Sequence, residues 1–222
     1  MNEFNRLFSK ELREWFFQNL ANIVTIFGFL TAIWLLVIAV NNPEELWLIM
    51  LLAGVVGLSD LVDGMIARKL KITSSYGGAL DRLRDKVFIV PILIVLNWNH
   101  SWKLTNLPNV LITLTTALVI SLTIIEVFLF IAWWIGLFKK LILTANKWGK
   151  RKMLCEFSAV MLWLISLTIE KYSCLSIIRF SIYLIDLTLI VTVFLAVKSL
   201  EGYYQSYSEK IENNMEETKK LS

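Results

Sequence analysis

The chain has 222 residues, of which 57% are hydrophobic and only 18% charged, with a mean hydropathy of +0.64 and three prolines. A soluble domain is nearer half apolar and about a quarter charged, so an ordinary soluble globule is excluded. The net charge of +4 is carried by basic residues beside apolar runs rather than on a basic, aromatic-interleaved domain. That distribution sets membrane topology and excludes nucleic acid as a partner.

Residues 3–19 place Phe4, Leu7, Phe8, Leu12, Trp15 and Phe16 at spacings of three and four, with Arg6, Lys10, Glu11 and Arg13 between them. This predicts an amphipathic helix lying in the membrane interface. Its long charged segment, with no small-x-small site after the apolar stretch, argues against a cleavable signal. Six spans follow, at 22–40, 45–68, 77–97, 109–138, 153–169 and 178–200. Each approaches the roughly 20 apolar residues needed to cross the hydrocarbon, and no period-2 alternation suggests a barrel. The fold class is therefore all-α and polytopic. Residues 1–200 form one membrane domain, and 201–222 are a polar cytoplasmic tail, either a solvated helix end or disordered.

Basic residues fall on one side. Arg6, Lys10 and Arg13 precede span one, six more run from Arg68 to Lys86, and six from Lys139 to Lys152. The other side carries Lys103, Lys171 and Arg179. The positive-inside rule puts both termini in the cytoplasm, in agreement with an even number of spans. Trp98, Trp102, Trp133 and Trp134 read as interface anchors, and His100 as a surface residue of an outer loop. Cys155 and Cys174, at the two ends of span five, would lie about 28 Å apart, far beyond the roughly 7 Å reach of a disulfide, so both are expected as free thiols.

The chemistry is concentrated at the cytoplasmic ends of spans two and three. The sequence runs Asp60-Leu61-Val62-Asp63-Gly64-Met65-Ile66-Ala67-Arg68, then eight residues, then Gly77-Gly78-Ala79-Leu80-Asp81-Arg82-Leu83-Arg84-Asp85. Carboxylates at a membrane edge are costly and mark function. Asp60, Asp63, Gly64 and Ala67 share one helical stripe, while Gly77, Asp81 and Asp85 step by four along another. The short connection makes the two helices antiparallel, and Gly64, Ala67 and Gly77 clear space for a ligand or a backbone. Four aspartates then face one small volume. They cannot all stay ionised without cations. An oxygen-only donor set suits Mg²⁺ or Mn²⁺, and shared carboxylates suit two ions, an arrangement used to clamp phosphoryl groups, with Arg68 available for the same phosphates. At average residue frequencies the pattern has a chance probability of roughly one in ten billion per start position, which excludes coincidence.

This segment resembles the signature of the CDP-alcohol phosphatidyltransferases, Asp-x2-Asp-Gly-x2-Ala-Arg-x8-Gly-x3-Asp-x3-Asp, at every defining position. The resemblance extends over nearly residues 3–200, since that family is described as six transmembrane helices after an interfacial helix. It implies that Asp60, Asp63, Asp81 and Asp85 ligate two divalent ions and that Asp85 is also the general base. It further implies that Asp60, Gly64, Ala67, Arg68, Gly77 and Asp81 contact the CDP moiety, and that an acceptor hydroxyl attacks the lipid-bearing phosphate of CDP-diacylglycerol and releases CMP. A homodimer in the bacterial inner membrane is likewise implied.

Gly149-Lys150-Arg151-Lys152 before span five looks like the Gly-Lys-x-Lys segment of phosphatidylglycerophosphate synthases, so Lys150 and Lys152 are expected to hold an anionic acceptor such as glycerol 3-phosphate. There are departures. Asn22-Ile23-Val24-Thr25 resembles the start of span one in such members, but the Arg that follows is missing. Ile125 stands where Arg precedes the equivalent of Glu126, and Arg82 and Arg84 replace a Pro and a small residue. These two arginines could compensate on the acceptor side. Cardiolipin synthesis, or another alcohol acceptor, is the alternative within this chemistry. A divalent-cation transporter is the alternative outside it, disfavoured because spans other than the signature pair are apolar apart from Glu126 and Asp186.

Overall fold

In the computed structural model the backbone is described for residues 10–70, 75–101, 109–138, 147–172 and 178–221, and most side chains for 23–66, 86–99, 109–136, 147–172 and 181–208. Among these residues there are only helices: α1 (Lys10–Asn41), α2 (Leu46–Leu70), α3 (Ser75–Leu96), α4 (Asn109–Phe138), α5 (Lys147–Tyr172) and α6 (Ile178–Leu221), with a π-helical turn at Asn97–Ser101 closing α3. Five of them are long and apolar enough to cross a membrane, over Ile23–Asn41, Leu46–Ile66, Asn109–Gly136, Lys147–Tyr172 and Ser181–Ser208. The protein is an integral, polytopic helical membrane protein.

Helix α3 carries the charged residues from Asp81 to Lys86 in its first half, and among the described residues its apolar stretch is Lys86–Asn99. Helix α1 already runs from Lys10 in continuity with the first span, and residues 3–9 of the expected interfacial helix lie outside the described residues. The tail continues α6 as helix to Leu221, the first of the two expectations for it. Cys155 is a free thiol, and Cys174 lies outside the described residues.

The chain divides into two units, Met1–Pro91 and Ile92–Ser222. In the first, α1 packs on α2. The buried residues of α1, Thr25, Gly28, Ala32, Leu35 and Ala39, recur at spacings of three and four, and those of α2, Ile49, Ala53, Val56, Ser59 and Asp63, keep nearly the same rhythm. Such a narrow stripe is a coiled-coil-like seam, with small residues letting the backbones approach. Residues 42–45 join the helices through a tight turn in which Glu45 N–H donates to the Asn42 carbonyl at 3.0 Å. A turn this short makes the pair antiparallel and fixes its register.

In the second unit α6 packs against both α4 and α5. Helix α4 buries Thr115, Val119, Leu122, Glu126 and Leu129, again one seam at spacings of four and three. Two polar residues sit in that seam, and each is answered by another helix. Thr115 Oγ1 lies 2.7 Å from Asp186 Oδ1 on α6. Glu126 pairs with Lys152 on α5. Apolar packing supplies the rest, with Trp163, Leu164, Ile182, Ile185 and Leu189 fully buried.

Candidate active site

The C-terminal half of α2 is where the seam turns polar. Asp63 continues the buried stripe and is 7% exposed, and Asp60, one turn earlier on the same face, is half-buried. The hydroxyl of Thr25 on α1 donates to Asp63 Oδ2 at 2.9 Å, with both groups buried. Ser59 turns its hydroxyl back to the Val56 carbonyl at 2.7 Å. Gly64 is half-buried beside this stripe.

Of the residues singled out by the sequence, Asp60, Asp63 and Gly64 are thus brought onto one face of α2. Ala67 and Arg68 lie on the last turns of α2, and Gly77, Asp81, Arg82, Arg84 and Asp85 lie on α3; their backbones are helical, but their side chains fall outside the described residues. Among the described residues no group of three His, Cys, Asp or Glu is assembled to hold a metal ion. The donor chemistry nevertheless fits a hard divalent cation, because Asp60 and Asp63 offer only oxygen ligands and Asp63 is held by a hydroxyl in an interior position.

The basic segment at the start of α5 separates into two environments. Lys150 and Arg151 are exposed, with the Arg151 guanidinium 5.4 Å from the centre of the Trp148 ring. Lys152 points the other way, since residues two apart on a helix lie on opposite faces. It is 4% exposed, and its ammonium is ion-paired with Glu126 and with Glu156, the latter at 3.5 Å. The two glutamates are each 3% exposed.

Two residues of this local chemistry were not singled out by the sequence reading. Thr25 would have followed from the register of the α1–α2 hairpin, since counting back from the short turn sets it opposite Asp63. Glu156 stands four residues after Lys152, a spacing that brings the two side chains together on a helix.

The family model of the CDP-alcohol phosphatidyltransferases matches residues 18–201, from the start of the first span through the apolar part of α6. The chain belongs to this family. No curated protein matches the chain. A CDP-alcohol phosphatidyltransferase moves a phosphatidyl group from a CDP-alcohol to an alcohol in phospholipid synthesis, which accords with a polytopic membrane protein whose signature carboxylates lie at one end of its helices. The matched stretch contains Thr25, the entire signature and the Glu126–Lys152–Glu156 cluster, and stops before the helical tail.

Proposed function

We propose that this CDP-alcohol phosphatidyltransferase takes CDP-diacylglycerol as donor and glycerol 3-phosphate as acceptor, making phosphatidylglycerophosphate. The observation that carries the reading is the Asp60–Asp63 face of α2, with Asp63 buried inside a complete family signature. Asp60, Asp63, Asp81 and Asp85 hold two Mg²⁺ or Mn²⁺ ions. When bound, the ions neutralise the pyrophosphate and stabilise charge developing in transfer. Gly64, Ala67, Arg68 and Gly77, with Asp60 and Asp81, seat the CDP moiety. Asp85 takes the proton of the acceptor hydroxyl as its oxygen bonds to the lipid-bearing phosphorus. The bond from that phosphorus to the bridging oxygen breaks, and CMP leaves with the electron pair.

Lys150, Arg82 and Arg84 hold the phosphate of the acceptor. Lys152, paired with Glu126 and Glu156, anchors the segment that presents Lys150, the exposed cation of the pair. The α3 helix is a sixth span, both termini are cytoplasmic, and the enzyme works as a homodimer in a bacterial inner membrane. The test is CMP release by the purified enzyme with CDP-diacylglycerol, Mn²⁺ or Mg²⁺ and a panel of glycerol 3-phosphate, phosphatidylglycerol and uncharged alcohols. Release with glycerol 3-phosphate that disappears in Asp85→Asn is the expected result. No CMP with any acceptor, or full activity in Asp85→Asn, overturns the mechanism, and release only with phosphatidylglycerol moves the assignment to cardiolipin synthesis.

A further inference from the structure

We infer that Thr25 is a positioning residue for the Asp63 carboxylate, which makes the first span part of the metal-binding machinery. The inference rests on the reading of Asp63 as a ligand of a divalent cation. Its basis is where the hydroxyl goes. Inside an apolar helix a Ser or Thr hydroxyl ordinarily turns back to the carbonyl four residues earlier, and Thr31, Thr123, Ser158, Ser166 and Thr192 do so at 2.7–2.8 Å. Thr25 reaches a different helix, donating to Asp63 Oδ2 at 2.9 Å.

The consequence is orientational. An aspartate side chain rotates about two bonds, and a donor fixed on a neighbouring helix restricts both. Thr25 is 6% exposed, so water competes little for the contact. The hydroxyl is also neutral, so it orients the carboxylate without taking the charge that a cation needs, as a salt bridge from Lys or Arg would. Groups that orient ligating carboxylates in this way typically hold 10- to 100-fold of metal affinity. The register of the α1–α2 hairpin delivers the hydroxyl: Thr25 and Asp63 lie at matched distances from the turn, about 24 Å along each helix.

The experiment measures Mn²⁺ binding to the purified full chain in detergent, without substrate, by calorimetry and by the electron paramagnetic resonance of free Mn²⁺. Thr25→Val keeps the shape and removes the donor, whereas Thr25→Ser keeps the donor. The expected outcome is a 10- to 100-fold weaker Mn²⁺ affinity in Thr25→Val, near-normal affinity in Thr25→Ser, and melting curves in EDTA that match wild type for both. In the CMP-release assay Thr25→Val is expected to need more Mn²⁺ while recovering most of its kcat at saturation. Wild-type affinity in Thr25→Val overturns the inference. So does a loss in Thr25→Ser equal to that in Thr25→Val, or a loss that simply tracks a lower melting temperature in EDTA. If Thr25→Val fails to fold, Thr25→Ala supplies the second hydroxyl-free variant and is judged by the same criteria. The two readings separate in Asp63→Asn: where wild type binds Mn²⁺ and Asp63→Asn does not, a normal Thr25→Val sinks the positioning role alone. Where wild type binds no Mn²⁺, both fall.

Discussion

Replacing Lys152 with Met separates a structural cation from a substrate-binding one. Lys152 is buried between Glu126 and Glu156, all three at 3–4% exposure, with the Glu156 contact at 3.5 Å. At that distance a unit charge pair is worth about 5 kcal/mol at an effective dielectric constant of about 20. Taking each ion out of water costs several kcal/mol, so the intact cluster adds little net stability. Removing only the cation is different, because two interior glutamates then lose the Lys152 charge, and breaking a buried pair in this way typically costs about 3–5 kcal/mol. At roughly 2–4 °C per kcal/mol for a chain of this size, the melting temperature should fall by about 10 °C. The assay is intrinsic-fluorescence melting in detergent, for which the chain has nine Trp. The triple variant Lys152→Met/Glu126→Gln/Glu156→Gln, in which no charge is left behind, should recover most of the loss. Lys150→Met, at an exposed position, should melt within about 0.5 kcal/mol of wild type and raise the KM of an anionic acceptor instead. A Lys152→Met melt within about 2 °C of wild type, or a triple variant less stable than the single, would refute the reasoning.

Two further outcomes test the interior of the second unit. Thr115 Oγ1 lies 2.9 Å from the Leu111 carbonyl as well as 2.7 Å from Asp186 Oδ1, so the Asp186 contact shares a hydroxyl with the α4 backbone. A double-mutant cycle of Thr115→Val and Asp186→Leu is therefore expected to give a coupling of about 0.6 kcal/mol and no more than about 1.7; a coupling above about 3 would contradict a single hydrogen bond between helices. Trp163→Ala, at 1% exposure, should destabilise the protein by about 3–5 kcal/mol, whereas Trp34→Ala, at 57% exposure, should stay within about 0.5 kcal/mol. Equal losses for the two tryptophans would show that the exposed face of α1 is covered.

How far the site could be read from sequence depended on whether its parts were local. Asp60 and Asp63 share a face because helical periodicity puts residues three apart together, and the structure places them so. Thr25 could not be found from periodicity, because its partner stands 38 positions away and only the register of the hairpin joins them. The Gly149–Lys152 segment was legible as a basic run, yet a run does not say which cation is spent inside. Lys150 and Lys152 differ by two residues, which on a helix means opposite faces. Lys152 faces inward, where it pairs with Glu126 and Glu156.

The same helices explain why hydrophobicity identified the spans but not their inner faces. In α1, Ile23, Phe27, Leu30, Trp34 and Val37 are exposed, while Thr25, Gly28, Thr31, Ala32 and Ala39 are buried. A soluble helix has the reverse order, because there apolar side chains are driven from water. Against hydrocarbon no such force acts between helices, and close approach, dispersion contacts and hydrogen bonding decide which face turns inward. In α1 small and polar residues therefore share the seam with Leu35 and Ile38, and the bulkier Phe27 and Trp34 lie outside. By that rule the buried polar residues Thr25, Asp63, Thr115, Glu126 and Asp186 are not intruders in the packing. A carboxylate facing lipid has no partner, whereas in the seam it finds one on the neighbouring helix, so these positions orient the helices. Asp63 follows the same preference at the end of the α1–α2 seam, where it accepts the Thr25 hydroxyl from the neighbouring helix.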